Sequence, residues 1–307
     1  MQSSLFLMLI SVGTTSAFFF NQKIDCQVSH WSEWEGPLGF GEYERYRTVL
    51  AYPANGGQPC PVILETKTAS RSPTIAETAR LLTDKFLARK YSSQKTRDLL
   101  ILFDASGSIG ASNFANALKD LAELLGLLCP DPDPFVSTAI GYHQAAMIMF
   151  SDKPVEEFFF GQKYPTSVLK NAIKNVKYIG GSTCTGDAFK AAINMFRSTN
   201  KGVRASSGVQ KEVLIVTDGL SNCGFNAIQA AWELKNATFS PLNDKVRVYG
   251  LMIAINTPQG QQEVTSYVSS PAGNHLFAVP GFEDLSKLLS ETKKLVQTYP
   301  PCAPIEI

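Results

Sequence analysis

Leu99-Leu100-Ile101-Leu102-Phe103-Asp104-Ala105-Ser106-Gly107-Ser108 is the stretch on which the reading of this chain turns. Five consecutive apolar residues leave no polar face for solvent. With charge before the run and small residues after it, the pattern predicts a buried parallel strand. The strand ends on a carboxylate, and hydroxyls follow at Ser106 and Ser108. Oxygen donors so arranged suit a hard cation such as Mg²⁺, which takes octahedral oxygen ligands and keeps some of its water. One carboxylate and two hydroxyls are too few, so further donors must come from other strand ends.

Two other segments supply them. Gly180-Gly181-Ser182-Thr183-Cys184-Thr185-Gly186 places Thr183 on a glycine-rich loop before a helix, and Val213-Leu214-Ile215-Val216-Thr217-Asp218-Gly219 is a second buried strand ending in a carboxylate. Strand ends of a parallel sheet share its carboxyl edge, where such sheets bind ligands. In this order the motifs D-x-S-x-S, T and D resemble the metal-ion-dependent adhesion site of the von Willebrand factor type A domain. The resemblance covers about two-thirds of the chain. It implies that Asp104, Ser106, Ser108, Thr183 and Asp218 hold Mg²⁺ (or Mn²⁺), the hydroxyls directly and the carboxylates partly through water. It also implies that an open coordination position captures Asp or Glu of an extracellular protein partner.

The pattern around these motifs alternates. Strands are expected near Leu99–Asp104, Val136–Tyr142, Ala145–Phe150, Val213–Asp218, Val246–Ile255 and His275–Val279, with helices between them. This predicts an α/β fold, a doubly wound and mostly parallel sheet with helices on both faces. Val136–Tyr142 and Ala145–Phe150 stand too close for a helical crossover, so they are expected to pair as a hairpin that adds one antiparallel edge strand.

The 307 residues carry a net charge of +1. There is no basic excess to suggest nucleic acid and no acidic excess to suggest direct mineral binding. Leu5–Val12 is a short apolar core followed by Thr15-Ser16-Ala17, the pattern of a secretory leader cleaved after Ala17. No later segment is apolar over the length of a membrane helix, so no transmembrane segment is expected and the mature chain is read as secreted and soluble. Six cysteines fit an oxidising compartment. Asn236-Ala237-Thr238 is a glycan acceptor motif.

Residues 18–68 read differently. Trp31 and Trp34 stand three apart, and Arg45 and Arg47 alternate on a predicted strand, so both guanidinium groups share one face. Stacked between the indoles, they form a cation–π ladder that replaces a hydrophobic core in a small domain. This region resembles a thrombospondin type-1 repeat, reduced to Cys26 and Cys60, which the resemblance pairs in one bridge. Unstacked, the arginines would offer a basic face to glycosaminoglycan. The expected organisation is a leader (1–17), a thrombospondin type-1-like domain (18–68), a linker with an amphipathic helix (69–96), the type A domain (97–300) and a tail (301–307).

In a doubly wound domain Cys129 and Cys302 both follow helices, at the sheet end away from the metal, and are expected to pair. Cys184 and Cys223 follow the loops of Thr183 and Asp218. If those two residues share an ion, a Cys184–Cys223 bridge ties the loops together.

The competing class is an enzyme. His30, His143 and His275 lie off the motif loops, and Gly219-Leu220-Ser221-Asn222-Cys223 fails as a nucleophile elbow at its last position. Asp131-Pro132-Asp133 sits at the wrong edge for paired carboxylates, on prolines that suit a turn. The expectation is a non-catalytic adhesion or matrix protein. A structural matrix component whose ion only braces the loops is the alternative.

Overall fold

The structure is a computed structural model, and it describes residues 22–68, 71–87, 96–129, 133–139, 141–206, 208–239 and 244–298. The leader at 1–17, the tail at 301–307 and Cys302, expected to pair with Cys129, lie outside the described residues. The described residues form two compact units. One comprises 22–33 and 45–65, the other 34–44 and 66–298.

The larger unit is built on six strands: β1 (Thr96–Asp104), β2 (Gln144–Phe150), β3 (Pro154–Phe158), β4 (Val209–Thr217), β5 (Arg247–Ile253) and β6 (Leu276–Val279). Their order is β6-β5-β4-β1-β2-β3, all parallel except β3. The apolar runs work as their composition demands. Leu99, Ile101 and Phe103 enter the core on one face of β1, and Leu100 and Leu102 enter the core on the other. Helices α1 (Ile75–Leu82), α2 (Ala111–Leu125), α3 (Thr166–Lys174) and α7 (Phe282–Thr298) cover the first face. Helices α4 (Thr185–Arg197), α5 (Ala227–Asn236) and α6 (Pro258–Tyr267) cover the second.

The antiparallel edge is not where the sequence pattern placed it. Residues 136–139, 141 and 142 form bends and a turn, not a strand, and β2 pairs instead with the following segment, β3. The reason is long-range. The carbonyls of Thr138, Ala139 and Tyr142 all accept from Arg204 Nη1, at 3.5, 3.3 and 3.0 Å. The adjacent carbonyls of Thr138 and Ala139 thus point the same way, whereas those of a strand alternate. The edge position of β3 tolerates its leading proline.

The expected linker helix, α1, belongs to the larger unit. Thr74 and Glu77 form a capping box at its start, and Arg71 clamps the Glu77 carboxylate. Its apolar face packs on α7 and β6, and the following turn buries Phe86 edge-on against Tyr249. Residues 34–44 form a hairpin, with Glu35 opposite Glu44 and Leu38 opposite Glu42. This hairpin seats at Gly273, just before β6, at the sheet end opposite Asp104. A Cβ on Gly273 would lie 2.2 Å from Leu38 Cδ1 and 2.8 Å from Glu44 Oε2, so a side chain there would push both aside. Glu44 accepts from the Gly273 amide at 3.2 Å.

The smaller unit is stapled by the Cys26–Cys60 disulfide, with Cα atoms 4.9 Å apart. Gln27 and Val28 pair with Ala51 and Val49. The guanidinium groups of Arg45 and Arg47 lie 4.9 and 4.3 Å from the Trp31 ring centre. Glu65 and the Val62 carbonyl fix these groups in place. Trp34, the other indole of the expected ladder, belongs to the larger unit and carries the Lys67 ammonium 4.2 Å from its ring centre.

Arg204 also pairs with Asp98, a fully buried carboxylate, at 2.7 Å. Arg204→Ala is expected to cost roughly 3 kcal/mol in urea unfolding, because it strands a buried charge. Arg197→Ala, on the exposed end of α4, should cost under about 0.5 kcal/mol. A loss below about 1 kcal/mol at Arg204 would show that Lys211, 3.2 Å from Asp98, suffices alone.

Candidate metal centre

β1 and β4 are neighbours, yet the helices that follow them go to opposite faces of the sheet, α2 to one and α5 to the other. Their connections diverge and open a crevice at the carboxyl edge, the topological switch point of an α/β sheet. Asp104 ends β1, and Asp218 directly follows β4.

Asp104 is fully buried. Its Oδ2 accepts from the Thr217 hydroxyl at 2.6 Å and its Oδ1 from the Ser106 amide at 2.8 Å. The Ser106 and Ser108 hydroxyls lie 3.1 Å apart, and Ser108 donates to Asp218 Oδ1 at 2.9 Å. Thr183 is drawn in by Asn222, whose side chain accepts from the Thr183 amide at 2.9 Å and whose own amide donates back to the Thr183 carbonyl at 3.0 Å. A Cβ on Gly219 would lie 3.8 Å from both the Ser108 and the Thr183 hydroxyl oxygens, so the missing side chain leaves space between them. The structure thus brings all five candidate residues to one crevice.

The loops are locked as well as gathered. The Gly107 amide donates to the Gly181 carbonyl at 2.8 Å, and the Gly180 amide to the Ala105 carbonyl at 3.0 Å. The Cys184–Cys223 disulfide, with Cα atoms 4.6 Å apart, joins the Thr183 loop to the Asp218 loop. Gly186, in the first turn of α4, lies so close to the Phe225 carbonyl that a Cβ would sit 1.9 Å from its oxygen.

Sequence reasoning missed three supports. Asp152, after β2, accepts from the Ser182 amide at 2.8 Å, and these bonds from Ser182 hold its carboxyl below the usual range. Gly181, at φ +105°, has no room for a Cβ beside that carboxylate. Tyr178 donates to the Ser106 carbonyl at 3.1 Å. Thr217, on the neighbouring strand, donates its hydroxyl to the buried Asp104 carboxylate. Asp152 was the findable one, since it is a third carboxylate just past a buried strand. Asp133, by contrast, binds the Thr166 and Phe135 amides, at 3.1 and 3.3 Å, and so organises the start of α3, while Asp131 lies outside the described residues.

The electrostatics favour a bound cation. Burial pushes the Asp104 carboxyl up. Burial, and then the charge of Asp104, push Asp218 up to about 6 against the hydrogen bond from Ser108. Both carboxylates therefore ionise at a cost that a positive charge in the crevice would relieve. The donors are two carboxylates and three hydroxyls, all oxygen, which fits a hard divalent ion. Among the described residues no three His, Cys, Asp or Glu side chains cluster as metal ligands, because hydroxyls supply most of this set.

Residues 98–291 match the von Willebrand factor type A domain. The chain belongs to that family. Human matrilin-1 is 27% identical over 207 residues, which are 67% of this chain and 37% of matrilin-1. Cuticlin-6 of Caenorhabditis elegans is 28% identical over 214 residues, 69% of this chain and 32% of the cuticlin. The chain thus spans about a third of the length of these curated relatives. Among solved structures, proximal thread matrix protein 1 of the mussel byssus matches with a TM-score of 0.53 at 24% identity, over 66% of this chain and 48% of that one. Another structure of the mussel protein, with zinc in its MIDAS motif, matches with the same TM-score at 22% identity. The solved structures show that the type A fold is shared.

The raised carboxyls set a pH dependence. Between about pH 4 and 6 the folded chain holds a proton at Asp218 that the unfolded chain has released. In chelator, stability from this site is therefore greatest below that window and falls as pH rises through about 6. Asp218→Asn should raise the thermal midpoint in chelator at pH 7.5 by the equivalent of about 2–3 kcal/mol and leave it unchanged at pH 4. Added Mg²⁺ or Mn²⁺ should stabilise the native sequence at pH 7.5, much less at pH 5, and the variant at neither. Equal stabilisation of both chains would place the ion elsewhere.

Proposed function

We propose that this chain is a secreted extracellular-matrix protein that captures an acidic side chain of a protein partner through a divalent ion, Mg²⁺ or Mn²⁺. Asp104, Ser106, Ser108, Thr183 and Asp218 would hold that ion. The observation that carries the reading is the continuous link from Asp104 through Ser106 and Ser108 to Asp218, with the Thr183 hydroxyl across the gap at Gly219. A divalent ion there supplies positive charge and a coordination position for an incoming carboxylate. The protein's own groups do the positioning. Thr217 and the Ser106 amide fix both oxygens of Asp104, and Asn222 with the disulfide fixes the loop of Thr183.

Family and relatives support a matrix role, since matrilin and cuticlin are the kinds of protein that this chain resembles. The leader pattern and the two described disulfides support passage through an oxidising compartment. Among the described residues no helix is long and apolar enough to cross a membrane. In this reading residues 18–68 are a reduced thrombospondin type-1 repeat, supported by the two guanidinium groups over the Trp31 ring and by the Cys26–Cys60 bridge. Arg45 and Arg47 are occupied there, by Glu65 and the Val62 carbonyl, which weighs against glycosaminoglycan as their ligand. A non-catalytic role fits the placement of two histidines. His143 accepts from the Arg97 amide at the far end of β1, and His275 is buried before β6, its pKa lowered by burial to about 4.

One observation favours the bracing alternative. The loops are already joined by a disulfide and by paired backbone hydrogen bonds, so an ion could serve as one more tie. Solid-phase binding to a panel of purified matrix proteins separates the two readings. Adhesion predicts that binding falls at least about tenfold, roughly 1.4 kcal/mol, in chelator, in Thr183→Ala and after methyl-esterification of the partner's carboxylates. Binding that survives all three treatments would leave the ion only a bracing role.

A further inference from the structure

Asn236-Ala237-Thr238 is the only Asn-x-Ser/Thr motif in the 307 residues. Asn236 ends α5 and is exposed, and Thr238 beyond it is exposed in a short pairing with Lys245. Beside them, between α4 and α5, lies an open cleft of about 620 Å³ lined by Asn194, Arg197, Phe225, Trp232 and Asn236. Two of its walls are aromatic and poorly covered, with Trp232 59% exposed and Phe225 61% exposed. Large aromatics left open together call for a cover, since contiguous exposed apolar surface marks a binding face or an aggregation hazard.

We infer that Asn236 carries an N-linked glycan and that its first sugars lie in this cleft against Trp232. The inference rests on the proposal that the chain is secreted. Trp232 precedes Asn236 by four residues, so it stands one helical turn back on the same face. A sugar tethered at Asn236 reaches it without crossing the helix. The indole offers a flat apolar surface to the C–H face of a pyranose, while Asn194 and Arg197 offer polar groups to its hydroxyls and acetamide. The Asn236 amide donates one N–H to the Trp232 carbonyl at 2.9 Å. Glycosyl transfer replaces only the other N–H. The Asn236 Nδ2–C1 bond forms as the sugar's C1–O bond to a polyprenyl pyrophosphate breaks, and that pyrophosphate leaves with the electron pair while the amide gives up one proton. Transfer occurs on the extended chain, so the folded protein need only leave the sugar a seat.

The experiment expresses the full chain, with its own leader, in cultured animal cells and analyses the protein from the medium. Peptide mass spectrometry should find a glycan at Asn236, and Thr238→Ala should abolish it without preventing secretion. Hydroxyl-radical footprinting of the folded protein before and after enzymatic glycan release should show oxidation of Trp232 rising severalfold and that of Trp31 unchanged. An unmodified Asn236 in secreted protein overturns the site. A glycan whose removal leaves Trp232 oxidation unchanged overturns the seat. If the chain stays inside the cells, the secretion reading fails, and the same chain behind a heterologous leader still decides occupancy at Asn236.

Discussion

Asp104 is a carboxylate with no solvent exposure at the end of a strand buried on both faces. Such a group is tolerable only when its oxygens are met. Thr217 meets one from the neighbouring strand, and the Ser106 amide meets the other from the following turn. That second bond bends the chain so that Ser106 and Ser108 face Asp218. The whole carboxyl edge follows from satisfying this one buried group, because the pairing of β1 with β4 must bring Thr217 beside Asp104.

The pairing is secured at the other end of the sheet. β1 carries Arg97-Asp98 near its start and β4 carries Lys211-Glu212, with Asp98 opposite Lys211 and Leu99 opposite Glu212. All four charged side chains are buried, with Lys211 at 3.2 Å from Asp98 and Arg97 at 3.5 Å from Glu212. A slip of two residues would keep every apolar side chain on its proper face, so the cores alone do not forbid it. It would, however, pull buried charges from their partners, which typically costs about 3–5 kcal/mol for each broken pair. Ion pairs distant from the crevice therefore fix the register that builds it. The hairpin of residues 34–44 seats at this same amino end, on Gly273, and leaves the carboxyl edge clear.

The two site strands are legible in the sequence because burial on both faces forces consecutive apolar residues, a signal few other environments write. The Cys184–Cys223 pairing follows from one assumption, a shared ion, that makes two loops neighbours. The misplaced edge strand has the opposite cause. Val136–Tyr142 has the composition of a strand, but its backbone is claimed by Arg204, more than sixty residues away in sequence. Asp152 escapes notice because it acts by accepting a backbone amide, and no local pattern records which amide will arrive. The seat that holds residues 34–44 is a missing Cβ on Gly273, more than two hundred residues downstream.

The composition of the crevice matters as much as its shape for the proposed capture of a carboxylate. A cage of several carboxylates, as in high-affinity calcium sites, neutralises its ion and repels a further anion. Here three of the five oxygens are hydroxyls, which carry no charge, and Asp218 ionises only above about pH 6 when no cation is near. An incoming Asp or Glu would thus meet an ion opposed by at most two negative charges from the motif. The missing charge must weaken the grip on the ion, and rigidity offsets that loss. The disulfide, the Asn222 clasp and the paired amides of Gly107 and Gly180 hold the loops before any ion binds. Little conformational entropy then remains to be lost when it does. A third carboxylate at Ser106 or Ser108 would hold the ion more tightly and blunt its pull on the partner, so hydroxyls at these positions are what adhesion requires and what a purely structural ion does not.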